Sequence, residues 1–90
     1  MLNYLVEFLG TFLFISVIVA TGQPVLIALG FLAVMLLGGA ISGGHFNPAT
    51  SLMFWAKGAL TNADLAGYII AQSLGGLGAL AVFNMLSKHK

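Results

Sequence analysis

The chain has 90 residues, of which 60% are hydrophobic and only 6% are charged. This composition excludes a soluble domain with a charged surface and indicates an integral, multi-pass membrane protein surrounded by lipid. A formal net charge of +1 provides no basic patch for nucleic acid, and a sequence without cysteine excludes disulfides.

Three apolar stretches are long enough to cross a membrane, at residues 3–21, 24–41 and 63–87. A hydrocarbon core of about 30 Å requires a minimum of about 17 apolar residues in a helix. The turn-forming sequence "TGQP" separates the first two stretches, and a polar segment at residues 57–64 precedes the third. In that segment Asn62 is predicted to cap the third helix, with Asp64 in its first turn.

The third stretch also carries a small residue at every fourth position, namely Gly67, Ala71, Gly75 and Ala79. A row of this kind allows membrane-spanning helices to pack closely. We interpret it as a packing seam rather than a chemical site.

The centre of the chain interrupts the apolar pattern with the sequence "SGGHFNPATS". Asn47 is a good helix N-cap, Pro48 suits the first helical position, and Gly58 suits the position after the last turn. These signals predict a helix from Pro48 to Lys57, which is roughly 15 Å long, or half a bilayer core. We therefore expect residues 42–58 to form a re-entrant loop and half-helix, buried in protein or facing a water-filled cavity.

Three segments together resemble the aquaporin and aquaglyceroporin (major intrinsic protein) family. "SGGHFNPATS" is similar to the family's NPA loop, "EFLGTF" at residues 7–12 to its first-helix signature, and "GYIIAQSLGG" at residues 67–76 to its third-helix signature. NPA alone is a weak signal, but three matches in the family order are specific. The resemblance implies an all-α membrane protein with three transmembrane helices and one re-entrant NPA half-helix, an aquaporin-like hemi-channel. Residues 1–90 would be a single half-repeat, similar to the first half of a usual family member.

The resemblance also implies a pore lined by the NPA motif, which is Asn47, Pro48 and Ala49. In the family, two half-helices meet N-terminus to N-terminus at the midplane of the membrane. There the side-chain oxygen of Asn47 would cap its own helix and leave the NH₂ group to donate to a passing solute. A row of carbonyl acceptors would come from Gly43, Gly44 and His45.

By the same resemblance, Glu7 accepts hydrogen bonds from main-chain N–H groups of the loop, and Gln72 bonds to the loop region. Glu7, Gly10, Thr11 and Phe14 share one face of the first helix, which agrees with a face turned toward the loop. Two other interpretations of Glu7 remain: an interfacial glutamate that reaches water, or the proton-coupling carboxylate of a small exporter. Gln72 could instead be an ordinary polar contact between helices.

The sequence departs from the family at the selectivity constriction. Usual members combine an aromatic residue from the second helix with an arginine directly after the second NPA motif. This chain has Ile27 at the second-helix position and Thr50 after its NPA motif. Without a guanidinium group, selection would depend on pore width, the carbonyl row and the half-helix dipoles. We expect a wider, less water-selective pore that also passes glycerol.

These features predict a passive channel for water and small neutral solutes such as glycerol. Because one chain supplies one half-helix and such a pore needs two, we predict an antiparallel homodimer, in which two copies reproduce an inverted repeat. The alternatives are one half of a split channel with a complementary partner, a truncated modulator of a full-length channel, and the proton-coupled exporter. By the family resemblance several pores, usually four, could cluster into a higher oligomer.

The charge distribution agrees with insertion in both orientations. Three spans put the N-terminus and Lys57 on one face of the membrane, and Lys88 and Lys90 on the other. This bias is too small for the positive-inside rule to enforce a single orientation strongly.

No catalytic arrangement is visible in the sequence, which has no nucleophile–base pattern, carboxylate pair or phosphate-binding loop. We therefore predict a protein that is not an enzyme and has no cofactor. We also predict no metal site, because His45 has no other ligand type near it.

Overall fold

The computed structural model describes residues 1–88. Lys90, one of the lysines assigned above to a face of the membrane, lies outside the described residues. The helices of the described chain are α1 (Leu2–Thr21), α2 (Pro24–Ser42), α3 (Pro48–Ala56) and α4 (Asn62–Ser87). α1, α2 and α4 are long and apolar enough to cross a membrane. The predicted all-α fold with three spans and one short helix is confirmed, and the chain is an integral, multi-pass membrane protein.

α1 and α2 form an antiparallel hairpin around a tight turn. Gly22 adopts a left-handed conformation (φ 61°), and its N–H donates to the carbonyl of Ile18, which ends α1. Pro24 then begins α2, because its fixed φ and its missing N–H suit the first helical position. The turn predicted from the sequence "TGQP" is therefore present.

α4 packs against α1 along the row of small residues. Ala71, Gly75 and Ala79 are buried, and a Cβ atom on Gly75 would lie 2.6 Å from the carbonyl oxygen of Phe8. Such a close approach requires a residue without a side chain. The row is confirmed as a packing seam, because it brings α4 into contact with the main chain of α1.

α3 begins where the sequence predicts and ends one residue earlier. Asn47 has an extended main chain, and its Oδ1 accepts a hydrogen bond from the N–H of Ala49 at 2.8 Å. The helix ends at Ala56, Lys57 is its C-cap, and Gly58 follows with a φ of 85°. At about 1.5 Å per residue, α3 is roughly 14 Å long, which is about half the thickness of a bilayer core.

The prediction of Asn62 as the cap of α4 is wrong. Thr61 is the N-cap, and its Oγ1 accepts a hydrogen bond from the N–H of Asp64 at 3.1 Å. The Asn62 side chain is engaged elsewhere, because its Oδ1 accepts a hydrogen bond from the indole N–H of Trp55 at 2.7 Å. Asp64 does lie in the first turn of α4.

α3 runs back toward the end of the molecule at which α2 finishes. The bond between Trp55 and Asn62 ties the last turn of α3 to the start of α4. The hydroxyl of Tyr4 donates to the carboxylate of Asp64 at 2.6 Å, which ties the start of α4 to the start of α1. Because α1 and α2 are antiparallel, α2 finishes at this same end. The segment at residues 43–58 therefore enters and leaves on one side, which is the geometry of a re-entrant loop.

Candidate functional site

The carboxyl group of Glu7 on α1 organises the loop between α2 and α3. Glu7 is completely buried, with 0% of its surface exposed. Its Oε1 accepts hydrogen bonds from the N–H of Phe46 and from Nε2 of Gln72, both at 2.8 Å. Its Oε2 accepts hydrogen bonds from the hydroxyl of Ser42 at 2.7 Å and from the N–H of His45 at 3.1 Å. Donors from α2, the loop and α4 thus meet at one carboxyl group, a geometry that does not fit a glutamate reaching water.

The main chain of the loop has its N–H groups turned toward the protein. Each N–H of residues 43–46 has an acceptor there: the carbonyl of Gly39, the hydroxyl of Ser42 or the carboxyl group of Glu7. The carbonyl groups of residues 43–45 accept no hydrogen bond from any donor within residues 1–88. The loop therefore has its donors engaged and three consecutive acceptors left over.

Positive φ angles allow the chain to reverse direction in this loop. Gly43 and Gly44 have φ values of 93° and 67°, in the left-handed region that favours glycine. Phe46 shares this conformation with a φ of 50°, which is uncommon for a bulky residue. Phe46 as a whole is only 2% exposed, and its ring packs against Gly10 and Gly38. A Cβ atom on Gly10 would overlap that ring, so the turn depends on space that glycine leaves open.

A second group of polar side chains holds the start of α3. Nε2 of Gln72 donates to Oγ of Ser51 at 2.9 Å as well as to Glu7, so that α4 connects α3 with α1. Nδ1 of His45 lies 2.8 Å from the same Ser51 oxygen, and the His45 ring stacks on Phe54 at a centroid distance of 4.6 Å. Gln72 therefore joins α1 and α3 to α4, and it bonds to the same two side chains, Glu7 and Ser51, that hold His45 of the loop.

Sequence reasoning missed three of the residues that hold this site. Ser42 and Ser51 each bond to two other elements, and the hydroxyl of Tyr68 donates to the carbonyl of Ser42 at 2.6 Å. All three are buried. A signal was present, because the two serines flank the central polar sequence and Tyr68 lies one turn before Gln72 on the same helix face.

Asn47 lies beside an open groove. Its side chain is exposed. Its Oδ1 caps α3, and its NH₂ group donates to no acceptor within residues 1–88. The groove has a volume of about 500 Å³ and runs along α1 and α4, with Thr11, Phe14, Phe46, Asn47, Pro48 and Gln72 in its wall. The positive end of the α3 dipole is at Asn47, so that the polar part of this wall favours electron-rich atoms and disfavours cations.

Ile27 and Thr50 are not brought together within the chain. Ile27 lies in the first turn of α2, at the end of the molecule where α1 finishes, and is roughly 22 Å from Ser42 along the helix. Thr50 lies in the first turn of α3, which runs toward the opposite end. The two residues therefore lie on opposite sides of Asn47, and a constriction that contains both requires a second half.

In the described chain, the side chains around His45 are a hydroxyl group and aromatic rings, which do not form a metal site with it. Its ring contacts Ser51, Phe54 and Tyr68. Within residues 1–88, no group of three or more His, Cys, Asp or Glu side chains could hold a metal ion.

Comparisons with known proteins match one family along the whole chain. The family model described as Major intrinsic protein matches residues 1–90. A glycerol uptake facilitator protein-like 6 from Lactiplantibacillus plantarum is 42% identical over 90 residues, covering 90% of this chain and 42% of the relative. An aquaporin Z from Brucella melitensis is 40% identical over 107 residues, covering 100% and 46%. An aquaporin Z from Photorhabdus laumondii is 37% identical over 97 residues, covering 90% and 42%. The chain spans less than half the length of these relatives.

Proposed function

Because the chain belongs to the major intrinsic protein family, we propose that it forms half of a passive membrane channel for water and small neutral solutes such as glycerol. Relatives named as a glycerol uptake facilitator and as aquaporins support both kinds of solute. We further propose that a second copy, inserted in the opposite orientation, supplies the other half of the pore.

The observation that carries the channel proposal is the orientation of the loop main chain. Glu7 and Ser42 engage the loop N–H groups, which leaves the carbonyl groups of Gly43, Gly44 and His45 as acceptors. A row of carbonyls can replace part of the hydration shell of a passing solute. Asn47 adds an NH₂ donor, and the positive end of α3 disfavours cations there. These groups suit a neutral solute that both donates and accepts hydrogen bonds.

Support for a second half comes from the exposed start of α3. Asn47 and Pro48 are exposed beside an open groove, and irregular main chain at membrane depth must be covered by protein or line a water-filled cavity. The matched relatives are each more than twice as long as the segment they share with this chain. An antiparallel second copy would provide the inverted arrangement that channels and transporters use.

Each mouth of such a pore would combine residues of both copies. In an antiparallel pair, Ile27 of one copy and Thr50 of the other lie at the same end. Neither side chain is charged, so rejection of ions would depend on the two half-helix dipoles and the two Asn47 groups at the midplane. Glycerol would enter together with water.

Reconstitution of the purified chain into liposomes tests this proposal. The chain alone should raise water and glycerol flux above that of empty liposomes, without a requirement for a pH gradient. Flux that appears only when a complementary half is added would indicate a split channel and not a homodimer. Absence of flux, together with altered flux through an added full-length channel, would indicate a modulator. Uptake driven by a pH gradient would indicate the exporter.

A further inference from the structure

Three phenylalanine rings form a continuous row from the loop across α2 to α1. The ring of Phe46 lies 6.4 Å from that of Phe31, and the ring of Phe31 lies 5.0 Å from that of Phe14, both in edge-to-face arrangements. These separations lie within the range that favours aromatic pairs. Because Phe46 is almost completely buried, the row has one fixed end, and Phe31 holds Phe14 from behind.

Of the two rings in the row that line the groove, Phe46 is almost completely buried and Phe14 is the more exposed. Phe14 lies in the groove wall with Asn47 and is half-buried in the described chain. Phe31 and Ile27 occupy the same face of α2, one turn apart. Phe14 on α1 and Phe31 on α2 therefore lie one turn deeper in the membrane than Ile27, between that residue and Asn47.

We propose that Phe14, held in place by Phe31, sets the width of the pore between Asn47 and the mouth, and so determines which neutral solutes pass. This inference rests on the proposed function. In an antiparallel pair, Phe14 of one copy would face the carbonyl row of the other copy, because both lie on the same side of the midplane. The pore then has a flat apolar wall opposite a row of acceptors, once in each half.

Phe14 would therefore limit the size of the solutes that pass, which the mouth of the pore does not. Ile27 and Thr50 leave a mouth without a guanidinium group, whereas a phenylalanine ring with a second ring behind it has little freedom to move aside. Water and slender solutes such as glycerol would pass along the acceptor row. Bulkier neutral solutes such as erythritol would be slowed at Phe14.

Cysteine labelling tests whether Phe14 faces a water-filled space. The chain contains no cysteine, so that single-cysteine variants have no background reaction. In liposomes, Phe14→Cys should react with a small charged methanethiosulfonate reagent, and the reaction should lower glycerol flux. Leu13→Cys is the matched control, because Leu13 is 52% exposed but does not line the Asn47 groove, and it should not react. A Phe14→Cys chain that conducts but stays unreactive overturns the inference.

The relative fluxes of solutes of different size test whether Phe14 limits the width of the pore. Phe14→Ala should raise the ratio of erythritol flux to water flux severalfold, and Phe31→Ala should raise it less. Phe83→Ala on the exposed side of α4 should leave the ratio unchanged. Phe14→Trp keeps an aromatic ring if Phe14→Ala fails to fold, and it should lower glycerol flux more than water flux. If the unsubstituted chain conducts and neither Phe14 variant changes the ranking, this inference alone fails; if the unsubstituted chain conducts nothing, the proposed function fails.

Discussion

The N–H of Phe46 donates to Oε1 of Glu7 at 2.8 Å, although the two residues are 39 positions apart in the chain. This bond joins the sharpest part of the re-entrant loop to a membrane-spanning helix. It also settles the direction of the loop main chain, because an N–H held toward α1 turns the neighbouring carbonyls away from it. The stability of the loop and the row of acceptors therefore depend on the same carboxyl group.

Replacement of Glu7 by glutamine should destabilise the protein. Glu7→Gln keeps the shape but turns one acceptor oxygen into a donor, which would then face two donors. Loss of charge-assisted hydrogen bonds at a buried site costs about 1.5–3 kcal/mol each. We expect a clear fall in the unfolding midpoint in detergent and a loss of flux. Asp64→Asn is the matched control, because its side chain receives one hydrogen bond within residues 1–88, from Tyr4. Equal stability of the two variants would contradict the role given to Glu7.

Two glycine substitutions should have opposite effects. Gly10→Ala places a Cβ atom in a clash with the Cε1 edge of the Phe46 ring, and overpacking of this kind costs about 1–3 kcal/mol. Gly39→Ala meets nothing within 4 Å and should be neutral or stabilising, by up to roughly 1 kcal/mol, because alanine favours a helix. Thermal unfolding of both variants measures the difference. A Gly10→Ala variant as stable as Gly39→Ala would show that the loop does not need the Phe46 site.

Asn47→Asp should change selectivity without loss of the helix cap. Aspartate retains an oxygen that can accept from the N–H of Ala49, but it replaces the NH₂ donor by a negative charge at the proposed centre of the pore. We expect lower glycerol flux and measurable cation conductance. Parallel recordings of glycerol flux and membrane current test this. If neither property changes, Asn47 does not lie at the centre of the pore.

Thr50→Arg should restrict glycerol more than water. In the proposed antiparallel pair, the longer side chain would narrow the mouth between Thr50 and Ile27 of the other copy, and it would add up to five donors. Thr21→Arg is a suitable control, because Thr21 is exposed at the end of α1. The ratio of glycerol to water flux in liposomes is the measurement. An equal fall in both fluxes, or no change, would remove Thr50 from the constriction.

The sequence predicted the helices well, because their signals are local. Apolar length defines α1, α2 and α4, and the pair Asn47–Pro48 defines the start of α3. The cap of α4 could not be predicted in the same way, because both Thr61 and Asn62 are suitable residues. What decides between them is the bond from Trp55 to Asn62, a contact between two helices.

In the candidate site, too, residues within sequence motifs could be predicted, whereas residues whose role depends on tertiary contacts could not. Glu7 and Gln72 could be named from motifs that resemble a family. Ser42, Ser51 and Tyr68 could not, because their role depends on which partner faces them once the helices pack. The separation of Ile27 and Thr50 likewise follows from the direction in which α3 leaves the loop, which no local pattern determines.

The antiparallel arrangement of two copies is tested most directly by cross-linking Ile27 to Thr50. Within one chain these residues lie on opposite sides of Asn47, so that a link between them must join two copies. A mixture of Ile27→Cys chains and Thr50→Cys chains, each with its own tag, is reconstituted and treated with a short bifunctional maleimide. We predict a cross-linked pair that carries both tags, and no link between two Ile27→Cys chains. Links between Ile27→Cys chains, without the mixed pair, would show that the copies are parallel and would contradict the antiparallel pair.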